Sequence, residues 1–184
     1  VINMISKNHE VYKHKHICLV ADHQNHLGIV RSLGEMGIKP IVLLCCLNSV
    51  KVKNSKYIGE LHTFKSIFEG FQFMVANYGN EELKPFIYNG SDDVTLLLDE
   101  HYEELKDKFY FTNGEGGIKK YLQKYDITQA AVECDIKIPK EELLQVGEMP
   151  KTLKYPVFTK AVTSSTGGNW KALAHICENE DELK

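Results

Sequence analysis

Ile17-Cys18-Leu19-Val20-Ala21 and Ile38-Lys39-Pro40-Ile41-Val42-Leu43-Leu44-Cys45-Cys46 decide the fold class. Each is an almost unbroken apolar run, the pattern of a strand covered on both faces rather than one. Between them Asp22 to Asn25 turn the chain, and Leu27, Ile29, Val30, Leu33 and Met36 recur at helical spacing. Gly37 stands where a helix would end. Strand, helix and strand within about thirty residues predict a βαβ unit, whose parallel strands need such a crossover. The first turn, Asp22-His23-Gln24-Asn25-His26-Leu27-Gly28, lacks the G-x-G-x-x-G of a dinucleotide site.

Outward from that unit the alternation continues. Asn48 to Lys56 reads as a polar, lysine-bearing loop, Tyr57 to Phe64 as an edge strand, and Ser66 to Tyr78 as a helix with Ile67, Phe71, Met74 and Val75 inward. Pro85 to Tyr88 is a short strand. Asn89-Gly90-Ser91-Asp92-Asp93 then supplies small polar residues that cap a helix over 93–105, burying Val94, Leu97, Leu98 and Tyr102 or Leu105. Phe109-Tyr110-Phe111 closes the set. The expectation for 16–112 is a doubly wound, mainly parallel α/β domain, preceded by a loosely held lead-in over 1–15. Asn113-Gly114-Glu115-Gly116-Gly117 is a break in composition and the candidate boundary, and 113–184 reads as a second, incomplete domain.

Bulk composition narrows the function classes. The 184 residues are 43% hydrophobic and 26% charged, ordinary globular material, and the net charge of −3 gives no footprint for nucleic acid or an anionic membrane. The longest apolar runs fall far short of the roughly 20 residues that span a bilayer. No secretory signal is visible in the polar residues 1–15. Five cysteines without a C-x-x-C pattern argue against a disulfide framework or a zinc site, so a cytoplasmic location is expected. His14, His16, His23 and His26 fall on a tail, a strand edge and a turn, a spacing that does not converge on a metal.

The chemistry concentrates in Tyr155-Pro156-Val157-Phe158-Thr159-Lys160, followed by Ala161-Val162-Thr163-Ser164-Ser165-Thr166-Gly167-Gly168-Asn169-Trp170-Lys171. A short strand delivers a lysine beside a loop rich in hydroxyls and glycine, which can wrap phosphate oxygens with backbone N–H groups. The plainer reading is a β-hairpin with a polar tip and a solvated lysine.

Together these features resemble the ATP-grasp superfamily. Arg31-Ser32-Leu33-Gly34 and Gly90-Ser91-Asp92 ahead of a long acidic helix are similar to the carbamoyl-phosphate-synthase-like and D-aspartate-ligase-like branch, in its pre-ATP-grasp domain. Lys124 with its helix, then Ile136-Lys137-Ile138-Pro139, resembles the opening of the grasp domain. Tyr155 to Lys160 resembles the strand carrying the second nucleotide lysine. The resemblance implies a fold of pre-ATP-grasp domain plus the first part of the ATP-grasp N-lobe. It implies that Lys124 and Lys160 contact the α-phosphate and adenine side of ATP. Ser164, Ser165, Thr166, Gly167 and Gly168 would line the β- and γ-phosphates, with Lys171 beside them.

The activity implied is a ligase: ATP phosphorylates a carboxylate, and an amine or similar nucleophile attacks the acyl phosphate. The magnesium ligands and the adenine hinge of the family lie beyond the resemblance, so the chain is expected to be an N-terminal portion, inactive alone. Without the resemblance, Lys124 reads equally as a solvated helix-start lysine, and Arg31, Asp92 and Asp93 as surface and capping residues. The alternative function is a small α/β nucleotide- or metabolite-binding module. Phe68, Phe71 and Phe73 serve a homodimer interface as readily as a core.

Overall fold

The computed structural model describes residues 10–21, 25–45, 50–112, 117–121, 124–160 and 174–183. The chain divides into two compact units, 1–119 and 120–184.

The first unit is an α/β layer structure around a four-stranded parallel sheet in the order β3-β2-β1-β4. Its strands are β1 (His16–Val20), β2 (Ile41–Leu44), β3 (Glu60–Thr63) and β4 (Phe86–Tyr88). Every residue of β1 and β2 is buried, which is why both read as unbroken apolar runs. Ile17 pairs with Ile41 on one side and with Ile87 on the other, so β1 is central. β3 lies at an edge, exposed along most of its length. The stretch expected as a further strand, Phe109 to Phe111, contributes one isolated parallel bridge, Tyr110 to Phe86.

Strand alternation splits the core in two. Ile17, Leu19, Ile41 and Leu43 face α3 (Ile67–Tyr78), α4 (Asp92–Glu100) and α5 (Tyr102–Leu105) through Phe71, Met74, Val94, Leu98 and Leu105. Cys18, Val20, Val42 and Leu44 face α1 (Asn25–Glu35) and α2 (Val50–Lys53) through Val30, Leu33 and Val52. Fully burying one such aliphatic side chain contributes about 1.5–3 kcal/mol. The helices begin where the sequence places capping residues. The Ser66 hydroxyl accepts from the Glu69 amide at 3.2 Å, and the Ser91 hydroxyl from the Val94 amide at 3.4 Å. Gly37, with φ of +85°, takes the left-handed conformation that ends α1.

Several expectations are corrected. The polar loop over 48–56 contains α2, because Val52 is drawn wholly into the core while its lysine neighbours stay outside. The single helix over 93–105 breaks at His101, whose φ of −104° is not helical. The inward face of α1 is His26, Val30 and Leu33, and Met36 is 46% exposed. The lead-in is tied down at its end: His14 Nδ1 donates to the Lys84 carbonyl at 2.8 Å, and Lys15 Nζ reaches Glu81 at 2.7 Å.

Gly34 shows why the helix has no side chain there. A Cβ on it would meet Tyr57 Cγ at 2.1 Å and Tyr57 Cβ at 2.4 Å, so the tyrosine lies directly against the helix backbone. Among the described residues no helix is long and apolar enough to cross a membrane.

A 3-10 turn (Ile118–Tyr121) spans the division between the units, and the second unit holds α6 (Lys124–Glu133). An extended connector follows, then an antiparallel pair, β5 (Val157–Lys160) and β6 (Ala174–Cys177), and the short α7 (Glu180–Leu183). The stretch 141–148, expected as a helix or loop, is non-helical, with a turn at Val146 and Gly147.

Candidate functional site

The hairpin of the second unit carries the candidate site. In its register Val157 pairs with Cys177, Phe158 with Ile176, Thr159 with His175, and Lys160 with Ala174. Alternation therefore places Phe158, Lys160, Ala174 and Ile176 on one face. Phe158 and Ile176 are 64% and 66% exposed, an apolar cross-strand pair open to solvent. Lys160 is exposed at the last paired position of β5, and residues 161–173, between it and β6, lie outside the described residues. Among the described residues no carboxylate is paired with it, in contrast to Lys15 with Glu81 and Lys119 with Glu100.

The other residues expected at the site are placed as follows. Lys124 is the first residue of α6, and its side chain lies outside the described residues. Ser164, Ser165, Thr166, Gly167, Gly168 and Lys171 also lie outside them. In the first unit Arg31 is an exposed residue of α1. Asp92 and Asp93 occupy the first turn of α4 behind the Ser91 cap, where negative charge complements the helix dipole.

Ahead of β5 the connector is held by a carboxylate that pattern reading did not single out. Glu142 Oε2 accepts from the Lys151 amide at 2.7 Å. Its Oε1 accepts from the Thr152 amide at 2.6 Å, the Thr152 hydroxyl at 2.5 Å and the Leu153 amide at 2.9 Å. Three successive N–H groups converging on one anion form a nest. The Thr152 hydroxyl and then these amides hold the Glu142 carboxyl down at about 2, since every bond favours the charged form. Asp99 does the same in the first unit, accepting from the amides of Gly117, Ile118 and Lys119 at 2.8, 3.1 and 3.2 Å. Neither contact has a local sequence signal, because the donors are backbone groups nine or more residues away.

The histidines pack into aromatic contacts. His16 is buried on β1; its Nε2 donates to the Val11 carbonyl at 3.0 Å, and its Nδ1 accepts from the Tyr88 hydroxyl at 2.8 Å. Burial first, with the nearby charge of His14, pulls the His16 imidazole below its ordinary range, against the raising effect of the Val11 carbonyl. His14 stands edge-on to Phe86, and His26 is fully buried in α1. His23 lies outside the described residues. Among the described residues no group of three His, Cys, Asp or Glu side chains is arranged to hold a metal.

Compared with protein-family models, curated proteins and solved structures, the chain finds no match in any of the three.

Proposed function

We propose that this chain supplies the nucleotide-phosphate-binding part of an ATP-grasp ligase, which activates a carboxylate through an acyl phosphate for attack by an amine. The first unit is then a doubly wound pre-ATP-grasp domain and the second the opening of the grasp N-lobe. The observation that carries the reading is the position of Lys160. It is an exposed lysine with no carboxylate partner among the described residues, held at the last rung of an antiparallel pair between whose strands the sequence holds Ser164 to Gly168. A cation fixed by strand pairing, beside a segment rich in hydroxyls and backbone donors, suits an oligophosphate.

Lys124 joins Lys160 from the start of α6. Two lysines from separate elements neutralise a polyphosphate while leaving the γ-phosphorus open to attack. Magnesium would supply charge neutralisation at the transferring phosphoryl group. Phe158 and Ile176, on the same face as Lys160, leave apolar surface beside it for packing.

The test is equilibrium ATP binding by the 184-residue chain, with magnesium present, before and after Lys160→Ala. A charged hydrogen bond to phosphate at an exposed site is worth about 1.5 kcal/mol, so affinity is expected to fall about tenfold. Equal affinity in the variant, or no saturable binding in the parent chain, would count against the reading.

A further inference from the structure

A second feature lies where the chain enters the first unit. His14 and His16 both meet Phe86 on one face, while Lys15 between them turns away, its Nζ 2.7 Å from Glu81. On the histidine side the 3-10 turn Val11–Lys13 and its flanks are held at two points. The Val11 carbonyl accepts from His16 Nε2 at 3.0 Å. His14 Nδ1 donates to the Lys84 carbonyl, just ahead of β4, at 2.8 Å. No residue of the turn is buried, so apolar burial adds little to these two bonds.

His16 suits its place in one protonation state. A carbonyl only accepts, so Nε2 carries the proton toward Val11. In the neutral ring Nδ1 is then an acceptor, and the Tyr88 hydroxyl donates to it at 2.8 Å. The ring stacks on Phe86 and Tyr88, with centroids 5.3 and 5.8 Å away and interplanar angles of 14° and 18°. Only 4% of the residue is exposed. A second proton would place a charge among aromatic rings and turn Nδ1 into a donor facing a hydroxyl that donates to it.

The surroundings offer that charge no counter-ion. His14, Cys18, Tyr88 and Tyr110 are the titratable groups on this side of β1 and β4, and α1 adds His26. Glu10 and Lys13 flank the exposed turn, and Lys84 Nζ lies 5.7 Å from the Tyr110 ring centroid. Among the described residues no carboxylate is bonded to His16.

We propose that residues 10–15 form an acid-released strap: neutral His16 holds it on the sheet, and protonation of His16 frees it while the sheet stays folded. Release hydrates the outer edge of the imidazole, which the Val11 carbonyl otherwise covers. While strapped, burial first keeps the ring below its ordinary 6.5, against the raising effect of Val11 and with that of His14. The strapped form is therefore fully favoured above 6.5 and loses ground as pH falls through the strapped value. One proton is linked, so the ratio of released to strapped chain rises by at most about tenfold per pH unit. None of this depends on a phosphate site at Lys160.

The test follows backbone order at 11–14 by heteronuclear NOE, and the His16 ring by its proton shifts, in the 184-residue chain from about pH 7.5 to about 4. The strap is expected to be ordered at the upper end and to lose order with the midpoint of the His16 ring, while Ile17 to Val20 stay ordered. His16→Gln, which cannot titrate, should keep one level of strap order across the range. If that variant does not fold, the shared midpoint in the parent chain decides. The proposal is overturned if the strap lacks order at about pH 7.5 or keeps it through the His16 titration. It is equally overturned if His16 does not titrate in the range, if strap and β1 lose order together, or if His16→Gln releases the strap at the parent midpoint.

Discussion

Replacing Gly34 by alanine tests whether Tyr57 truly lies on the backbone of α1. Two effects oppose each other. Alanine is favoured over glycine in a helix interior by about 0.8–1.0 kcal/mol. Against this, the new Cβ would come within 2.1–2.4 Å of Tyr57 Cβ, Cγ and Cδ1, more than 1 Å inside normal contact. Because Cβ and Cγ are among the clashing atoms, a turn of the ring does not relieve the contact; the root of the side chain must shift. Overpacking of that kind costs about 1–3 kcal/mol, and the number of clashing atoms places it near the upper end. The net expectation is a loss of about 2 kcal/mol from the first unit. Urea unfolding of Gly34→Ala, Tyr57→Gly (which also removes the clashing Cβ) and the double variant forms the cycle. With Tyr57 removed, the space is vacated and Gly34→Ala should become stabilising by about the propensity term. An alanine at 34 that stabilises the chain with Tyr57 present would refute the packing argument.

Two further predictions concern protons. Glu142→Gln removes an anion from the Lys151–Leu153 nest, so those amides should exchange with solvent faster while the amides of β1 keep their protection. In the parent chain the Glu142 carboxyl should titrate by NMR at about 2. Lying below its ordinary 4.5, it gives a stabilising contribution complete above that value and lost as pH falls toward 2; titration near 4.5 would show that the nest does not form. His16, lowered from 6.5 chiefly by burial, behaves in the corresponding sense for a base. Between the two values the unfolded chain holds more protons, so the contribution of His16 is complete above pH 6.5 and declines as pH falls through the folded value. His16→Gln should flatten the fall in urea midpoint between pH 7.5 and 5, and an unchanged slope would remove His16 from the account.

Much of the fold was legible because burial on two faces leaves an unmistakable mark. Ile17 to Ala21 and Ile41 to Leu44 carry no polar interruption, and a parallel sheet has few other ways to use such runs. Ser66 and Ser91 announced two helices through the hydroxyls that cap them. The phase of α1 was harder. A buried His26 and an exposed Met36 reverse the usual polarity of those residue types, so the apolar stripe pointed about one turn too far along. α2 is too short for periodicity to register, and Val52 anchors it. At the candidate site, the strand ending in Lys160 and its partner after the loop were readable from alternation. The clasps made by Glu142 and Asp99 were not, since a carboxylate gathering backbone amides leaves no trace in side-chain type.

The strand order of the first unit bears on how it comes into being. β1 is the earliest strand, yet its second neighbour is β4, and His16 meets Tyr88 across 72 positions of chain. A nascent polypeptide emerging in order would pair the first three strands while one flank of β1 still offered its amides and carbonyls to whatever approached. Closure of that flank waits for Phe86 to Tyr88, and the histidine–tyrosine bond cannot form before them. Slow translation between positions 64 and 86 would lengthen that interval, and with it the opportunity for strands of two chains to join.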